Sequence, residues 1–398
     1  MPLQTLPCRA FQRGFALGAR LLPWRTPTVL SGAGSLLKLP DVFSREGASR
    51  PLVVASRRQC ADERFLALRA ALEGRGVRPS VFSGVEPDPS VATVEKLAAQ
   101  YRADGCDSFL VLGGGSPIDA AKVAAARVVR PDKTVAQLGG LLKVRRPLPL
   151  FIAVPTTAGT GSEATIAAVV TGEEHRKYAV SDLCLIPCYA VLDPTLTLSL
   201  PPAVTAQTGM DALTHAVEAY LSLYYNTRET RALAESAVRD IFRYLPVACR
   251  DGQSLTARER MLRASFDAGC AFTRASVGNV HAIAHTLGGL YGIPHGLACA
   301  VTLPVVLEDY GAAVHPHLAR LGSLIGLTGT ERERAVGFLA AIRALNASLG
   351  IPDRFDGIRG EDLPRMAAWA AAEANLVYPV PVVYDQARFR RVLERLRA

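Results

Sequence analysis

The sequence predicts an α/β N-terminal domain followed by an all-α C-terminal domain. From about residue 50 to 195, short apolar runs rich in β-branched residues alternate with helical patterns, which is typical of a mostly parallel sheet covered by helices on both faces. After Pro201 and Pro202 the chain consists mainly of long helical patterns rich in alanine, leucine, arginine and glutamate. We therefore predict one domain at 1–195 and a second at 196–398, and each is long enough to bury a core of its own.

The predicted elements of the first domain follow one another as alternating strands and helices. The strands are Leu52–Ala55, Ser80–Phe82, Phe109–Leu112, Phe151–Val154 and Ala190–Leu192. Helical patterns occupy Ala61–Gly74, Val91–Ala103 and Ile118–Val129. Because a helical crossover returns the chain to the same edge of a sheet, this alternation predicts parallel strands.

The N-terminal segment allows two interpretations. The first forty residues contain four arginines and no acidic residue, a composition compatible with a mitochondrial transit peptide. Residues 10–22, however, have the pattern of an amphipathic helix, and the segment lacks serine enrichment. We therefore expect a structural helix, assigned to the first domain, and a cytoplasmic protein, or a mitochondrial matrix protein if the segment is a transit peptide. A membrane span is not expected, since no long uninterrupted apolar stretch occurs.

Charge and cysteine content exclude several classes of function. The 45 basic and 36 acidic residues give a net charge of +9, but the excess is spread along the chain without a dense basic run or interleaved aromatics. Nucleic-acid binding is therefore not expected, whereas a phosphate-bearing small molecule is an adequate partner. The eight cysteines form no CxxC pair and are interpreted as reduced intracellular thiols, mostly buried as small hydrophobes.

Three short segments hold four of the seven histidines: Gly209–His215, His281–His285 and Pro294–Gly296. Asp211 and His215 are four apart, as are His281 and His285, so that each pair would lie on one face of a helix. Their apolar neighbours predict a buried site, where a carboxylate and several imidazoles require compensation by a cation or hydrogen bonds. Zinc or ferrous iron suits this donor set. The alternative is ordinary core histidines bonded to backbone carbonyls, and spacing alone does not choose between His281 and His285 as a ligand.

Gly113-Gly114-Gly115-Ser116-Pro117 follows a predicted buried strand and opens a helix. Glycines let backbone amides approach a ligand, and a helix N-terminus favours anions, although a tight strand-to-helix turn is an alternative explanation. A second loop rich in glycine and hydroxyl groups, Pro155–Glu163, also follows a strand. Two such loops at the carboxyl ends of parallel strands would converge on one crevice, which predicts a Rossmann-like dinucleotide-binding domain.

Together these segments resemble the iron-containing (group III) alcohol dehydrogenases. The resemblance extends from about Pro27 to Leu307 with order and spacing preserved, and the last ninety residues are less diagnostic. The segments that carry it are Gly113–Asp119, Pro155–Glu163, Gly209–Glu218 and His281–Gly296. It implies a metal-dependent, NAD- or NADP-linked enzyme that transfers hydride between a small or medium alcohol, or its aldehyde, and nicotinamide.

The resemblance also implies roles for individual residues. Asp211, His215, His281 and His295 would be metal ligands, for Fe²⁺ or for Zn²⁺ or another divalent ion. His285 would transfer a proton near the nicotinamide, and Phe272 would line the substrate pocket unless it is a plain core residue. The implied cofactor-binding residues are Gly114, Gly115, Ser116, Asp119, Thr156, Thr157, Thr160 and Lys177.

One departure concerns the end of the first predicted strand, where many NAD-using members carry an acidic residue. This chain has Ala55-Ser56-Arg57-Arg58 instead. A small Ser56 leaves room for a 2′-phosphate that Arg57 and Arg58 could pair with, so we expect NADP to be used at least as well as NAD. The alternative is two solvated arginines at a helix start.

Other activities remain open at this stage. A zinc glycerol dehydrogenase or a dehydroquinate-synthase-like enzyme would share the two-domain layout but differ in metal set. A metal-dependent hydrolase would have no use for the glycine and threonine loops, and absence of nicotinamide binding would favour it. A homodimer is the default expectation for the assembly.

Overall fold

The computed structural model describes residues 6–172 and 177–398. This part of the chain forms two compact units. One comprises Pro23–Ser199, and the other comprises Leu200–Ala398 together with the N-terminal segment that ends at Leu22. The first is α/β and the second is helical, which confirms the predicted fold class.

The α/β unit is built on parallel strands. Its strands, numbered along the chain, are β1 (Thr28–Ser31), β2 (Pro51–Val54), β3 (Ser80–Phe82), β4 (Ser108–Gly113), β5 (Gly140–Leu141), β6 (Leu150–Pro155), β7 (Ala167–Thr171), β8 (Lys177–Ser181) and β9 (Tyr189–Leu192). In the described residues, six of these form one parallel sheet in the order β1-β9-β6-β4-β2-β3. A smaller sheet has the order β5-β8-β7, with β7 antiparallel to β8.

Helices cover both faces of the large sheet. They are α2 (Leu39–Glu46), α3 (Arg57–Cys60), α4 (Glu63–Glu73), α5 (Val91–Ala103), α6 (Gly115–Val129) and α7 (Val135–Leu138). Side chains alternate across a strand, so that Leu52 and Val54 belong to one apolar core and Val53 to the other. Burial on both faces explains why the central strands appear in the sequence as continuous apolar runs.

The second unit consists of helices. They are α8 (Pro202–Leu221), α9 (Arg228–Arg250), α10 (Leu255–Ala275), α11 (Asn279–Tyr291), α12 (His295–Tyr310), α13 (His315–Leu324), α14 (Glu331–Ser348), α15 (Leu363–Ala374) and α16 (Gln386–Arg395). The stretch His295–Leu324 is apolar and long enough to pass for a membrane span by composition, but 67% of its apolar 18-residue window is buried inside the protein. It therefore has the burial expected of a core helix in this unit.

The N-terminal helix differs from its prediction. The sequence pattern placed a helix at 10–22 in the α/β domain, whereas the structure has α1 at Leu6–Ala19 in the helical unit. Arg9 and Gln12 are buried there, and the Arg9 guanidinium donates a hydrogen bond of 2.8 Å to the carbonyl oxygen of Val380. An amphipathic pattern shows that a helix has a partner, but it does not identify which part of the chain that partner is.

Candidate functional sites

Helix α8 carries the first pair of predicted ligands. Asp211 and His215 lie one helical turn apart and are both buried. Gly296, at the start of α12, allows this helix to approach α8 closely, because a Cβ there would lie 2.3 Å from the carbonyl oxygen of Gln207. The glycine in Pro-His-Gly thus brings the adjacent His295 to Asp211.

The three predicted histidine ligands lie around one carboxylate oxygen of the fourth, Asp211. Asp211 Oδ1 lies 3.5 Å from His295 Nε2, 3.9 Å from His281 Nε2 and 4.0 Å from His215 Nδ1. The rings of His215 and His281 stack with centroids 4.5 Å apart. Donor atoms from α8, α11 and α12 therefore surround a small common volume.

Burial makes this arrangement costly without a cation. Burial raises the pKa of Asp211 and lowers the pKa of His281 to about 3. Within the described residues, Asp211 Oδ1 and His281 Nε2 are buried and have no hydrogen-bond partner. A divalent ion bound to both atoms would compensate them, and a set of one carboxylate and three imidazoles fits ferrous iron or zinc better than magnesium or calcium.

Glu218 holds His281 in the orientation that a ligand needs. Its carboxylate accepts hydrogen bonds of 2.8 Å from the backbone N–H groups of Gly278 and Val280, and it lies 2.6 Å from His281 Nδ1. Engaging Nδ1 leaves Nε2 facing Asp211, the arrangement by which outer-shell carboxylates orient metal-binding histidines. Glu218 was not among the residues predicted from the sequence, although its position seven residues after Asp211 on α8 places it on the same face.

His285 lies beside the four ligands but has a different partner. Its ring centroid is 5.3 Å from that of His295, and its Nδ1 is 2.6 Å from Glu373 Oε1 on α15. The hydroxyl of Tyr378 donates a hydrogen bond of 2.7 Å to the same oxygen. The two histidines on α11 are thus distinguished by their carboxylates, Glu218 for His281 and Glu373 for His285.

Phe272 and Cys299 border the cluster. The Phe272 ring stacks on His215 with centroids 4.1 Å apart and an interplanar angle of 13°, and its role in lining a substrate pocket stays a prediction. Cys299 Sγ lies 3.7 Å from His295 Nε2. Cys299 was predicted only to be a buried small side chain; its position four residues after His295 was the available signal.

In the α/β unit, the glycine and threonine loops pack against each other at the carboxyl ends of β4 and β6. The backbone N–H of Thr156 donates a hydrogen bond of 2.9 Å to the carbonyl of Gly113. A Cβ on Gly114 would lie 3.0 Å from Thr157 Oγ1, and a Cβ on Gly115 would lie 2.9 Å from Thr160 Cγ2. The glycines are therefore required for the close approach of these loops.

Helix α6 opens at this junction. Its N-cap is Gly114, which supplies no side-chain hydrogen bond to the first turn. The first-turn backbone N–H groups, which have no partner within an α-helix, and the positive dipole end of this 15-residue helix together suit the binding of phosphate. The residues present fit the pyrophosphate of a dinucleotide.

Substituting Gly115 tests this cradle. We expect Gly115→Ala to raise the KM for the dinucleotide at least about tenfold, equivalent to about 1.4 kcal/mol, because the new methyl group would push Thr160 away. Steady-state kinetics with the dinucleotide varied measures this. Gly84→Ala is the matched control in the same unit, since its Cβ would lie at an ordinary 3.4 Å from Phe82. Equal KM values for the two variants would contradict the assignment.

The segment after β2 joins the same edge. Ser56 caps α3 by accepting a hydrogen bond of 3.2 Å from the backbone N–H of Gln59, whose side chain donates one of 3.0 Å to Thr156 Oγ1. Arg57 and Arg58 follow Ser56 and are exposed. The segment after β2 therefore joins the glycine and threonine loops, the two loops that the sequence pattern predicted to converge.

The remaining predicted cofactor residues differ in their hydrogen-bond partners. Asp119 accepts hydrogen bonds from Ser162 Oγ at 2.6 Å and from the backbone N–H of Val169 at 2.9 Å, so its carboxylate holds the second loop. Ser116 Oγ lies 3.4 Å from the backbone nitrogen of Asp88. The side chain of Lys177 lies outside the described residues. Direct contact of any of the predicted cofactor-binding residues with a dinucleotide stays a prediction.

Comparison with known families bears on both halves of the chain. The family model described as iron-containing alcohol dehydrogenase matches residues 26–194, and the model of the C-terminal part of the same family matches residues 205–396. The chain belongs to the iron-containing alcohol dehydrogenase family. As a member of this family it is an oxidoreductase that acts on CH–OH groups, which confirms the activity implied by the sequence motifs.

Several relatives of this alcohol dehydrogenase are characterised by name or structure. It is 41% identical to 1,3-propanediol dehydrogenase of Klebsiella pneumoniae over 312 residues, 76% of this chain and 80% of the relative. The crystal structure of a 1,3-propanediol oxidoreductase superposes with a TM-score of 0.89 at 34% identity, covering 95% of this chain and 100% of that one. Sulfoacetaldehyde reductase from Bifidobacterium kashiwanohense in complex with NAD⁺ gives a TM-score of 0.84 at 28% identity, covering 94% and 98%.

Proposed function

We propose that this enzyme interconverts a small or medium primary alcohol and its aldehyde, with a divalent ion held by Asp211, His215, His281 and His295. The observation that carries the proposal is the convergence of four donors. Two of them, Asp211 and His281, have buried atoms there with no hydrogen-bond partner in the part of the chain that the structure describes. The names of relatives that act on 1,3-propanediol support a short alcohol as the substrate class.

The proposed reaction uses two bound groups, a metal ion and a dinucleotide, together with side chains of the protein. When bound, a divalent ion acts as a Lewis acid on the substrate oxygen, and a nicotinamide dinucleotide supplies or accepts the hydride. His285 transfers the proton of the substrate oxygen. Because Glu373 engages Nδ1, the proton passes through Nε2. Phe272 borders the pocket beside His215 and restricts the side chain of the alcohol.

We propose Fe²⁺ as the working ion, following the family, with Zn²⁺ or another divalent ion as the alternative. All of these ions accept imidazole and carboxylate donors, so the ion present depends on supply as well as on affinity. The dinucleotide lies across Gly114, Gly115, Ser116, Asp119, Thr156, Thr157, Thr160 and Lys177 in this proposal. The assembly is a homodimer, the commonest form of oligomer.

An aldehyde panel tests the proposed function. We expect short aldehydes to be reduced with NADPH or NADH, activity to disappear after chelation, and Fe²⁺ or Zn²⁺ to restore it to different extents. Glycerol as the preferred substrate would favour the glycerol-dehydrogenase-like alternative. Metal binding without any nicotinamide binding would favour a metal-dependent hydrolase and contradict the proposal.

We further propose that NADP is used at least as well as NAD. Arg57 and Arg58 are exposed beside Ser56, at the edge where the three loops meet, and residues 55–58 include no acidic side chain. A 2′-phosphate there could pair with either guanidinium. NADPH turnover at least equal to NADH turnover is expected, and a strong NADH preference would contradict it.

The double variant Arg57→Ala/Arg58→Ala sharpens this comparison. We expect its KM for NADPH to rise about tenfold or more, since charge-assisted hydrogen bonds contribute about 1.5–3 kcal/mol, while its KM for NADH changes little. Arg69→Ala is a control, because that exposed arginine pairs with Glu73 on α4. An equal change for both dinucleotides would show that the arginines do not bind the 2′-phosphate.

A further inference from the structure

We propose that Cys299 is an additional donor of the metal centre, and that with Asp211, His281 and His295 it forms a set that binds thiophilic divalent ions such as zinc. The inference rests on the proposed metal centre. Cys299 is buried on α12, one helical turn after His295. One donor atom from each of these four residues lies within 4.8 Å of all the others.

The distances suit a tetrahedral site. Zinc bonds of about 2.0 Å to nitrogen or oxygen and about 2.3 Å to sulfur place neighbouring donors of a tetrahedral site roughly 3.3 to 3.5 Å apart. The observed separations are 3.5 Å for His295–Asp211, 3.9 Å for His281–Asp211 and 3.7 Å for Cys299–His295. Small side-chain adjustments would therefore bring these donors to bonding distance of one ion.

A second observation points to a ligand in this volume. Asp211 and His281 are each only 2% exposed, and within the described residues Asp211 Oδ1 and His281 Nε2 have no hydrogen-bond partner. Cys299 Sγ lies on the side of this volume next to His295, whereas His215 stacks on His281 and Phe272. His215 and Cys299 thus offer two different fourth donors to a shared group of three.

The two sets differ in the ions they prefer. Three imidazoles and a carboxylate suit ferrous iron and zinc, whereas replacing one imidazole by a thiolate shifts the preference toward softer ions such as zinc and cadmium. Binding converts the thiol to a thiolate, and the proton is released to solvent as the sulfur–metal bond forms. No oxidant or reductant takes part.

Cobalt substitution of the full-length protein tests the proposal. After removal of bound metal, Co²⁺ is added and the absorption spectrum is recorded. We expect visible d–d bands from the centre and a near-ultraviolet thiolate-to-cobalt charge-transfer band. Cys299→Ser and Cys299→Ala should lose the charge-transfer band while still binding cobalt. Cys270→Ser, a change at another buried cysteine of the same unit, should retain it.

The outcomes separate this inference from the proposed function. Cobalt d–d bands without a thiolate band in the unaltered protein, or a thiolate band that persists in Cys299→Ala, would overturn the role of Cys299 and leave the four-ligand centre standing. Absence of cobalt binding would overturn both. In a competition between Zn²⁺ and Fe²⁺, Cys299→Ser should lower the preference for zinc at least about tenfold. Mutating a residue that only hydrogen-bonds to a metal ligand already lowers metal affinity about 10- to 100-fold, and the loss of a ligand should have at least that effect.

Discussion

Replacing His281 by alanine is expected to remove metal and activity together. The variant loses one of four proposed ligands from the centre of the cluster, and metal affinity should fall at least about 100-fold. Loss of Lewis-acid stabilisation worth several kcal/mol corresponds to a decrease in kcat/KM of about three orders of magnitude or more. Metal content by elemental analysis and aldehyde reduction with saturating dinucleotide measure the two effects.

The substitution also affects Glu218, which must be considered in the controls. The buried carboxylate of Glu218 has three polar neighbours, and the variant removes one of them, the His281 ring. This should lower the free energy of unfolding by about 1–3 kcal/mol. Thermal unfolding therefore accompanies the assays. His317→Ala, at a half-buried histidine of the same unit outside the cluster, should keep metal and activity. Retention of metal by the His281 variant would contradict its assignment as a ligand.

The predicted ligands could be found from the sequence because the spacing of residues along one helix determines which of them share a face. Asp211 with His215, and His281 with His285, are pairs that any α-helix brings to one face. Which histidine of the second pair is a ligand could not follow from spacing, and the assignment came from family resemblance. The structure adds a physical reason, since Glu218 orients His281 toward Asp211 while Glu373 engages His285.

The features that were missed depend on contacts between distant parts of the chain. Glu373 is separated from His285 by 88 residues, and nothing in its helix marks it as a partner. The N-terminal helix was assigned to the α/β domain because the partner of its buried face is more than 350 residues away in the sequence, at Val380. The strand Gly140–Leu141 has two residues, too few for a recognisable alternation.

Replacing His285 by alanine is expected to leave the bound metal in place, in contrast to the replacement of His281. His285 Nδ1 contacts Glu373, and the ring lies beside the metal ligands without being one of the four. The metal content should therefore be unchanged. The rate should fall about 10²- to 10⁴-fold, the usual contribution of a positioned proton-transfer group. Added imidazole should restore part of the rate by occupying the vacated space. Loss of metal instead would reverse the assignments of His281 and His285.

Glu373→Gln tests how the proton carrier is held. The amide oxygen can still accept a hydrogen bond from Tyr378, but the charge that favours a proton on His285 Nδ1 is lost. We expect kcat to fall by a smaller factor than in His285→Ala, with the metal content and the KM for dinucleotide unchanged. Because Glu373 acts through His285, the double variant Glu373→Gln/His285→Ala should lose no more activity than His285→Ala alone. Glu361→Gln, at an exposed carboxylate of the same unit, is the control. Additive losses in the double variant would mean that Glu373 contributes by another route.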